Sequence, residues 1–467
     1  MEKDMGLHRL VFDYYETRIC FGFCRCGESL PSIPQICSAF HLGRRTVRAA
    51  LAMLEKEGYI KTEERKPAVV VFQAESAQIA ENLAKYYVPR KEGIFDFVKA
   101  GEILFVPLWE AAMRQMDRSD WKKMQRDLQT ADIDVTPLSL KFYEGVLKAW
   151  NNRLLINLLS EGIRYLRYPY LIENKPPVIT SPELREMSQE DAISFMKDKI
   201  ETSNRRLLQD LYDYIDKAAK EYDLETVCPI AFHWDIYRQR PQMRYTLASL
   251  IIREIMTGEF SVGSYLPSLP QMEKKYGVSL TTIRRTLLLL EELGITRSHQ
   301  GKGTQVCMEP VKMDFSKPEI REGMRMHQES LQILSLTICQ VSRFTLESAG
   351  QDKWEELRAE LKQIQTEKHC YFCFELFFRF IWKNCPLAAI RECYGRLAGL
   401  VSWGYPFTLL YFKEEGLNQA YKEPVSRMEQ YLGQKDPAAF SEEWKALMEA
   451  EEKRCLDFAG QASGRVD

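Results

Sequence analysis

The stretch from Leu7 to Phe72 returns at Met243 to Met308 without an insertion or deletion, so that Leu30-Pro31-Ser32-Ile33-Pro34-Gln35 reappears as Leu266-Pro267-Ser268-Leu269-Pro270-Gln271. The offset is 236 (266 − 30), about half of the 467 residues. Solenoids and propellers repeat every 20–50 residues or so, whereas an offset of half the chain implies that a complete module and its partner segment were duplicated. Whatever fold the module takes, the chain contains it twice.

Hydrophobic periodicity predicts the fold of each copy. Leu10, Tyr14, Tyr15 and Ile19 mark a first helix that stops near Gly22. Ser32 is placed to cap a second helix, with Gln35 three residues on as its capping-box partner, and Ser268 and Gln271 repeat the device. Val47, Leu51 and Leu54, at i, i+4 and i+7, give a third helix its buried stripe, matched by Ile283, Leu287 and Leu290. That helix ends at Gly58 or Gly294. In the second copy a strand over Ile295 to Ser298, a tip at Gln300-Gly301-Lys302-Gly303 and a strand over Thr304 to Met308 predict a β-hairpin. Helix, helix, turn, helix and hairpin is the order of a winged helix-turn-helix.

The outward side of the third helix bears on function. Arg44, Arg45 and Arg48 lie at its N-terminal end and off the buried stripe, where a recognition helix meets base edges and phosphates in the major groove. The second copy offers Thr281, Thr282, Arg284 and Arg285 there. Each module carries a surplus of about three positive charges while the whole chain stands at −2, so the remainder is acidic. A basic run on one helix is usually a solvated face. Its recurrence at the groove-facing end of both copies favours DNA.

Leu30-Pro31-Ser32, Thr46-Val47-Arg48, Leu51-x-x-Leu54-Glu55 and Gly58, with their counterparts Leu266-Pro267-Ser268, Thr282-Ile283-Arg284, Leu287-x-x-Leu290-Glu291 and Gly294, resemble the DNA-binding domain of the GntR family of bacterial transcription regulators. The segment Gln300-Gly301-Lys302-Gly303-Thr304 is similar to that family's Gly-x-Gly-Thr wing, and the match covers about 130 residues in all. The resemblance implies DNA contacts from Arg44, Arg45, Thr46 and Arg48, and from Thr281, Thr282 and Arg284. In the wing, Lys302 and Thr304 flank Gly303, which would let the backbone approach a phosphate closely.

The copies also depart from the family. Pro34 and Pro270 stand where the family usually has an arginine early in the second helix. Copy one has Arg65 and Pro67 in place of the wing glycines, leaving Lys61, Arg65 and Lys66 as phosphate contacts without the usual tip. Leu280 occupies the position of Arg44; it cannot donate to guanine, though it could touch a thymine methyl. The two modules therefore read different half-sites, or one of them mainly holds phosphate.

Two long segments, about Ser76 to Tyr222 and Phe315 to Phe458, carry few strand signals. Runs such as Phe142, Val146, Ala149, Leu154, Leu155 and Leu158 predict packed amphipathic helices, with loops at Asn174-Lys175-Pro176-Pro177 and Gly404-Tyr405-Pro406. Phe142-Tyr143, Val146, Ala149, Asn152, Leu154 and Leu155 resemble the signature of the FCD effector domain of the FadR-like GntR branch, and Phe374 to Leu387, with Asn384, resembles a weaker second copy. Many members of that branch hold a metal through an aspartate and histidines, the first two ligands four residues apart. Those positions are Ser139 and Tyr143, or Tyr371 and Glu375, and no histidine lies between His41 and His233, so no metal is expected. The aromatic clusters Tyr165-Leu166-Arg167-Tyr168-Pro169-Tyr170 and Trp403-Gly404-Tyr405-Pro406 read either as core packing or as walls for a small organic effector.

The 12 cysteines are scattered, with Cys37, Cys339 and Cys393 in apolar settings, as reduced thiols acting as small hydrophobes would be. Cys20, Cys24 and Cys26, and the pair Cys370 and Cys373 after His369, lack a second pair at zinc-like spacing. The polar start Met1-Glu2-Lys3-Asp4 and the charged interruptions Glu375 and Arg379 in the apolar stretch Tyr371 to Trp382 point to a cytoplasmic protein that does not enter a membrane. With no phosphate-cradling loop, Gly-x-Ser-x-Gly elbow or His-Glu-x-x-His, neither an enzyme nor a cofactor is expected.

The expectation is a mainly α chain: winged helix 1–73, helical FCD-like domain 74–230, winged helix 240–309 and helical FCD-like domain 310–460. It would bind double-stranded DNA as a covalent pseudo-dimer on two unlike half-sites, with a small organic effector and self-association left open. Two alternatives stay beside it. One winged helix could serve assembly in a homodimeric regulator, or the chain could be a protein-interaction scaffold.

Overall fold

A computed structural model describes residues 7–40, 42–64, 66–73, 75–119, 121–122, 150–167, 187–236, 243–256, 258–309, 314–315 and 317–463. The chain divides into two units, Met1–His233 and Trp234–Asp467.

Unit 1 opens with α1 (Leu7–Cys20), α2 (Ile33–Phe40) and α3 (Arg44–Lys56). Val11 of α1, Ile36 of α2 and Val47, Ala50 and Leu54 of α3 are all 0% exposed and share one core, so the i, i+4, i+7 stripe faces inward as its spacing requires. Gln35 Oε1 accepts from the Ser32 amide at 2.8 Å and the Ser32 hydroxyl at 2.7 Å, which fixes the start of α2. Pro34 is the second residue of that helix, where its missing N–H would have had no intrahelical partner. After α3, Gly58 turns the chain at φ +82 into a short hairpin of β1 (Ile60–Lys61) and β2 (Val69–Val70), with Ile60 opposite Val70.

Among the described residues four further helices follow: α4 (Ser76–Tyr87), α5 (Lys91–Gln115), α6 (Arg153–Leu166) and α7 (Gln189–Glu221). Asn152 caps α6 by accepting from the Leu155 amide at 2.9 Å, and Leu154, Leu155 and Leu158 are buried beneath it. The rest of the FCD-like signature, Phe142, Tyr143, Val146 and Ala149, lies outside the described residues, as do Ser139, Tyr168, Pro169, Tyr170 and the stretch Asn174 to Pro177. α6 docks on α1 of the winged helix: Arg164 meets Asp13 and Arg167 meets Glu16, each at 3.3 Å. Ile163 joins the winged-helix core at the same seam.

Unit 2 repeats the plan with α8 (Met243–Met256), α9 (Leu269–Tyr276), α10 (Leu280–Glu292), β3 (Thr296–His299) and β4 (Gly303–Val306). Gln271 Oε1 accepts from the amide and hydroxyl of Ser268 at 2.8 and 2.7 Å, the distances found in unit 1. The hairpin is displaced by about a residue from the expected strands. The Ile295 amide still closes the helix end on the Leu290 carbonyl at 2.9 Å, and Cys307 and Met308 both donate to the Ile295 carbonyl, which ends the ladder at Val306.

The remaining helices are α11 (Pro318–Ala349), α12 (Gln351–Thr366), α13 (Cys373–Asn384), α14 (Ala388–Val401), α15 (Gly404–Gly433) and α16 (Pro437–Ser463). α11 packs along α16, and Trp444 of α16 stacks on Phe377 of α13 at 4.2 Å between ring centroids. This bundle also docks on the first helix of its winged module. Arg253 of α8 makes a two-bond ion pair with Glu375 of α13, at 3.1 and 2.9 Å, and Tyr245 packs against the buried Trp403 at 5.7 Å. No helix among the described residues is long and apolar enough to cross a membrane.

The phase of α10 is directly testable, since Leu290 is fully buried and Leu288, two residues earlier, is 61% exposed. Leu290→Ala should lower the stability of unit 2 by about 2–5 kcal/mol and Leu288→Ala by no more than about 0.5 kcal/mol, read from urea unfolding of the full chain.

Candidate nucleic-acid interface

The two modules share one scaffold for whatever the third helix presents. In unit 1 the chain after α1 pairs with β2: Gly27 N donates to Val70 O at 2.8 Å, Val70 N to Glu28 O at 2.9 Å and Leu30 N to Ala68 O at 2.8 Å. In unit 2, Gly263 N donates to Val306 O, Val306 N to Ser264 O and Leu266 N to Thr304 O at the same 2.8, 2.9 and 2.8 Å. Each wing is thus a small sheet stitched to the loop that precedes the second helix, which sets its angle to the third.

A second tie was not foreseen from sequence. Glu55, on the last turns of α3, accepts from the Thr62 amide at 2.7 Å and its hydroxyl at 2.6 Å; Glu291 on α10 accepts from the amide and hydroxyl of Ser298, both at 3.2 Å. A Glu seven residues before a Thr or Ser in both copies was the available signal. The hydrogen bonds from the Thr62 side chain and backbone hold the Glu55 carboxyl below its ordinary range. With a depressed carboxylate the contribution is complete above the unfolded value and lost as the pH falls through the folded one.

The helix ends differ in detail. α3 begins after Gly43, which supplies no side-chain cap, and Arg44, Arg45 and Arg48 are exposed with Thr46 half-buried. Spacings of three and four put Arg45 and Arg44 beside Arg48 on one outward face. α10 is capped by Ser279, which accepts from the Thr282 amide at 3.3 Å and lies 3.0 Å from the Thr282 hydroxyl. The Thr282 side chain is therefore half-buried and occupied with the cap, while Thr281, Arg284 and Arg285 are exposed and Leu280 is half-buried. Among the described residues none of Arg44, Arg45, Arg48, Arg284 and Arg285 has a carboxylate within 4.0 Å, nor is there an acid in the first turn of either helix. Unneutralised guanidinium groups and the positive end of a helix dipole together attract anions and hydrogen-bond acceptors.

The wing tips diverge more. The turn closes in both copies, from Lys302 N to His299 O at 3.1 Å and from Lys66 N to Glu63 O at 3.3 Å, although Pro67 stands where Gly303 takes φ +107. Lys302 and Gly303 are exposed, and Thr304 is half-buried with its carbonyl bonded to Leu266. In unit 1 Lys61 is exposed, but the Lys66 ammonium is held by Glu63 at 2.8 Å, and Arg65 lies outside the described residues.

Metal does not fit the positions suggested by the FCD resemblance. Tyr371 is a poor ligand type and the Glu375 carboxylate is taken by Arg253, while Ser139 and Tyr143 are outside the described residues. Among the described residues no group of three or more His, Cys, Asp or Glu side chains converges as a metal cage would.

Fold and interface together define two winged helix-turn-helix domains, each presenting an exposed basic edge on its third helix. The profile of the bacterial regulatory proteins of the gntR family matches residues 9–70 and again 245–306, so the chain carries two GntR-family domains. A stretch of 83 residues is 37% identical to the mannosyl-D-glycerate transport/metabolism system repressor MngR of Escherichia coli (strain K12), covering 18% of this chain and 32% of that protein. The chain thus spans about a third of that relative's length. Among solved structures, Streptococcus agalactiae GntR is similar to 45% of this chain over 99% of its own, at 17% identity and a TM-score of 0.22. E. coli McbR/YncC is similar to 46% over 98% of its own, at 14% identity and a TM-score of 0.26.

Glu55→Ala should free the Thr62 amide and speed its hydrogen exchange roughly fivefold, as expected for loss of a bond of about 1 kcal/mol, while the Leu51 amide within α3 exchanges as before.

Proposed function

We propose that the chain is a sequence-specific transcriptional regulator that acts in the cytoplasm as a covalent pseudo-dimer, with both winged helices of one polypeptide on one operator. Residues 1–73 and 240–309 read DNA, and 74–230 and 310–460 are the helical domains through which a small organic effector controls them. The observation that carries this reading is the recurrence, on one scaffold, of exposed arginines without carboxylate partners at the start of α3 and α10.

Helix-turn-helix dimers read two half-sites about one DNA turn apart, and ordinarily that takes two chains. A tethered second module binds at high effective concentration instead. Arg44, Arg45, Thr46 and Arg48 form the reading edge of module 1, with Lys61, Arg65 and Lys66 toward phosphate. Thr281, Arg284 and Arg285 form that of module 2, with Thr282 held at the helix cap behind them and Lys302, Gly303 and Thr304 in its wing. Glu63 at the module 1 tip binds its own Lys66 and repels phosphate, so module 1 relies on its helix and module 2 on helix and wing. An arginine facing a leucine across the repeat, Arg44 against Leu280, makes the half-sites unlike.

Selection from a randomised double-stranded DNA pool tests this. The parent should enrich one motif with two unlike halves; Arg48→Ala and Arg284→Ala should each blur a different half, at about 1–3 kcal/mol per lost base contact. If only one variant matters, the other module serves assembly; if no motif emerges, the regulator reading fails.

A further inference from the structure

His299 stands in the wing of module 2 where module 1 has Glu63. The side chains of Thr296 on β3 and Val306 on β4 are buried, so Arg297, His299 and Gln305, which alternate with them, share the outward face of the hairpin. The chain before α9 extends that face, because Tyr265 pairs with Gln305 in an antiparallel bridge. Tyr265 is 44% exposed, and its ring stands edge-on to the His299 ring at 6.2 Å between centroids. It also covers the wing glycine: a β-carbon on Gly303 would touch the Tyr265 ring at 3.7 Å.

Hydrogen bonds fix which nitrogen of the His299 ring carries the proton. The Gly263 carbonyl is an acceptor only, so the Gln305 amide meets it at 2.8 Å through its NH2 group. The amide oxygen is then the atom 3.1 Å from His299 Nε2, and since it too only accepts, Nε2 holds a hydrogen. In the neutral ring Nδ1 is left as a bare lone pair. It has no partner among the described residues, and it stands apart from the enclosed, unpartnered polar atoms of the chain because it keeps contact with solvent.

The charged groups on the surrounding elements are accounted for. Lys302, on the wing tip, donates its amide to the His299 carbonyl and has an exposed side chain. Arg297, two residues back on β3, is ion-paired with Glu309, and Glu291 of α10 is held by Ser298 on the other face of the strand. The loop before α9 contributes the Tyr265 ring and no charge. Among the described residues no carboxylate lies within 4.0 Å of the imidazole. The protein thus offers no anion to an imidazolium at this position, and one from outside would fill the place. Module 1 lacks every part of the arrangement, with Ser29, Glu63 and Val69 where module 2 has Tyr265, His299 and Gln305.

We propose that His299 is a DNA contact of module 2 that works only as the imidazolium. On binding, Nδ1 takes a proton from the buffer and donates it in a hydrogen bond to a backbone phosphate oxygen, while Nε2 stays on Gln305. A phosphate oxygen is an acceptor and cannot bond to a bare lone pair, so contact and proton uptake are one event. The sign follows from that coupling: the contact is complete where the ring is charged and is lost as the pH rises. Glu63 carries the opposite charge at the tip of module 1, so the pH dependence belongs to one of the two modules. The proposal rests on the reading of module 2 as a DNA-binding module, but not on that module being sequence-specific.

The full chain and three variants are titrated with a mixed-sequence duplex at low salt and with the selected motif. Calorimetry in two buffers of different ionisation enthalpy counts the protons taken up, and fluorescence anisotropy gives the affinity at about pH 6 and about pH 8. The parent should take up more protons than His299→Gln, by up to about one. On going from the higher pH to the lower it should also gain about fivefold more in affinity than that variant, the effect of one charge-assisted hydrogen bond at an exposed site. His299→Lys, which is always charged, should lose the extra pH dependence while keeping the tighter binding. Gln305→Met releases Nε2, so that the neutral ring can carry its hydrogen on Nδ1, and should cut the uptake without abolishing binding. Circular dichroism reports whether each variant is folded. Equal uptake in the parent and folded His299→Gln, or undiminished uptake in folded Gln305→Met, overturns the proposal. A chain that enriches no motif yet shows the His299-dependent uptake on the mixed duplex refutes the sequence-specific reading and leaves the contact standing. A chain that binds neither duplex overturns both.

Discussion

The stripe Val47, Leu51 and Leu54, and its copy Ile283, Leu287 and Leu290, sets what each module can present, because burying it fixes the rotation of the third helix about its own axis. Full burial of such side chains is worth about 1.5–3 kcal/mol each, more than any exposed charge contact could contribute. Once the stripe is inside, Arg45, Arg48, Thr281 and Arg284 have no choice but to face outward. The first helix, the second helix and the wing are then positioned around that same core.

A module of about 60 residues buries too little surface to be robust alone, and here each first helix is fastened to a helical bundle. The fastening uses opposite polarities: acids of α1, Asp13 and Glu16, meet Arg164 and Arg167, whereas Arg253 of α8 meets Glu375 of the bundle. The units thus keep one architecture while exchanging the chemistry of the seam. The same holds at the outward edge, where three wing hydrogen bonds recur at matching lengths while Arg44 becomes Leu280 and Glu63 becomes His299. Backbone pairing constrains the frame, and the exposed positions are left to diverge.

Much of this was legible in the chain. The capping pairs Ser32–Gln35 and Ser268–Gln271, the period of the third helix and the turns at Gly58 and Gly294 depend on neighbours within a few residues, so local spacing carries them. The hairpin register was off by a residue because the Ile295 amide serves the helix end, which spacing alone does not reveal. The pairing of Lys66 with Glu63 and of Thr282 with its cap likewise escaped a reading by residue type. The packing of α8 against the bundle of unit 2 was out of reach, since Arg253, His327, Glu375 and Glu451 lie on four helices and meet only through tertiary packing. Its sequence traces were the aromatic run at Trp403-Gly404-Tyr405 and the positions Tyr371 and Glu375, and the role of Gly404 in seating His327 appears only with the side chains in place.

The central claim is that one polypeptide supplies both reading helices at one DNA site. Its most direct test is the mass of the complex formed by the full chain on a duplex carrying one copy of the selected motif, measured by native mass spectrometry alongside a footprint of both strands. The account predicts one chain per duplex with two protected half-sites about one helical turn apart. Two chains per duplex, each protecting the same half-site sequence, would contradict it.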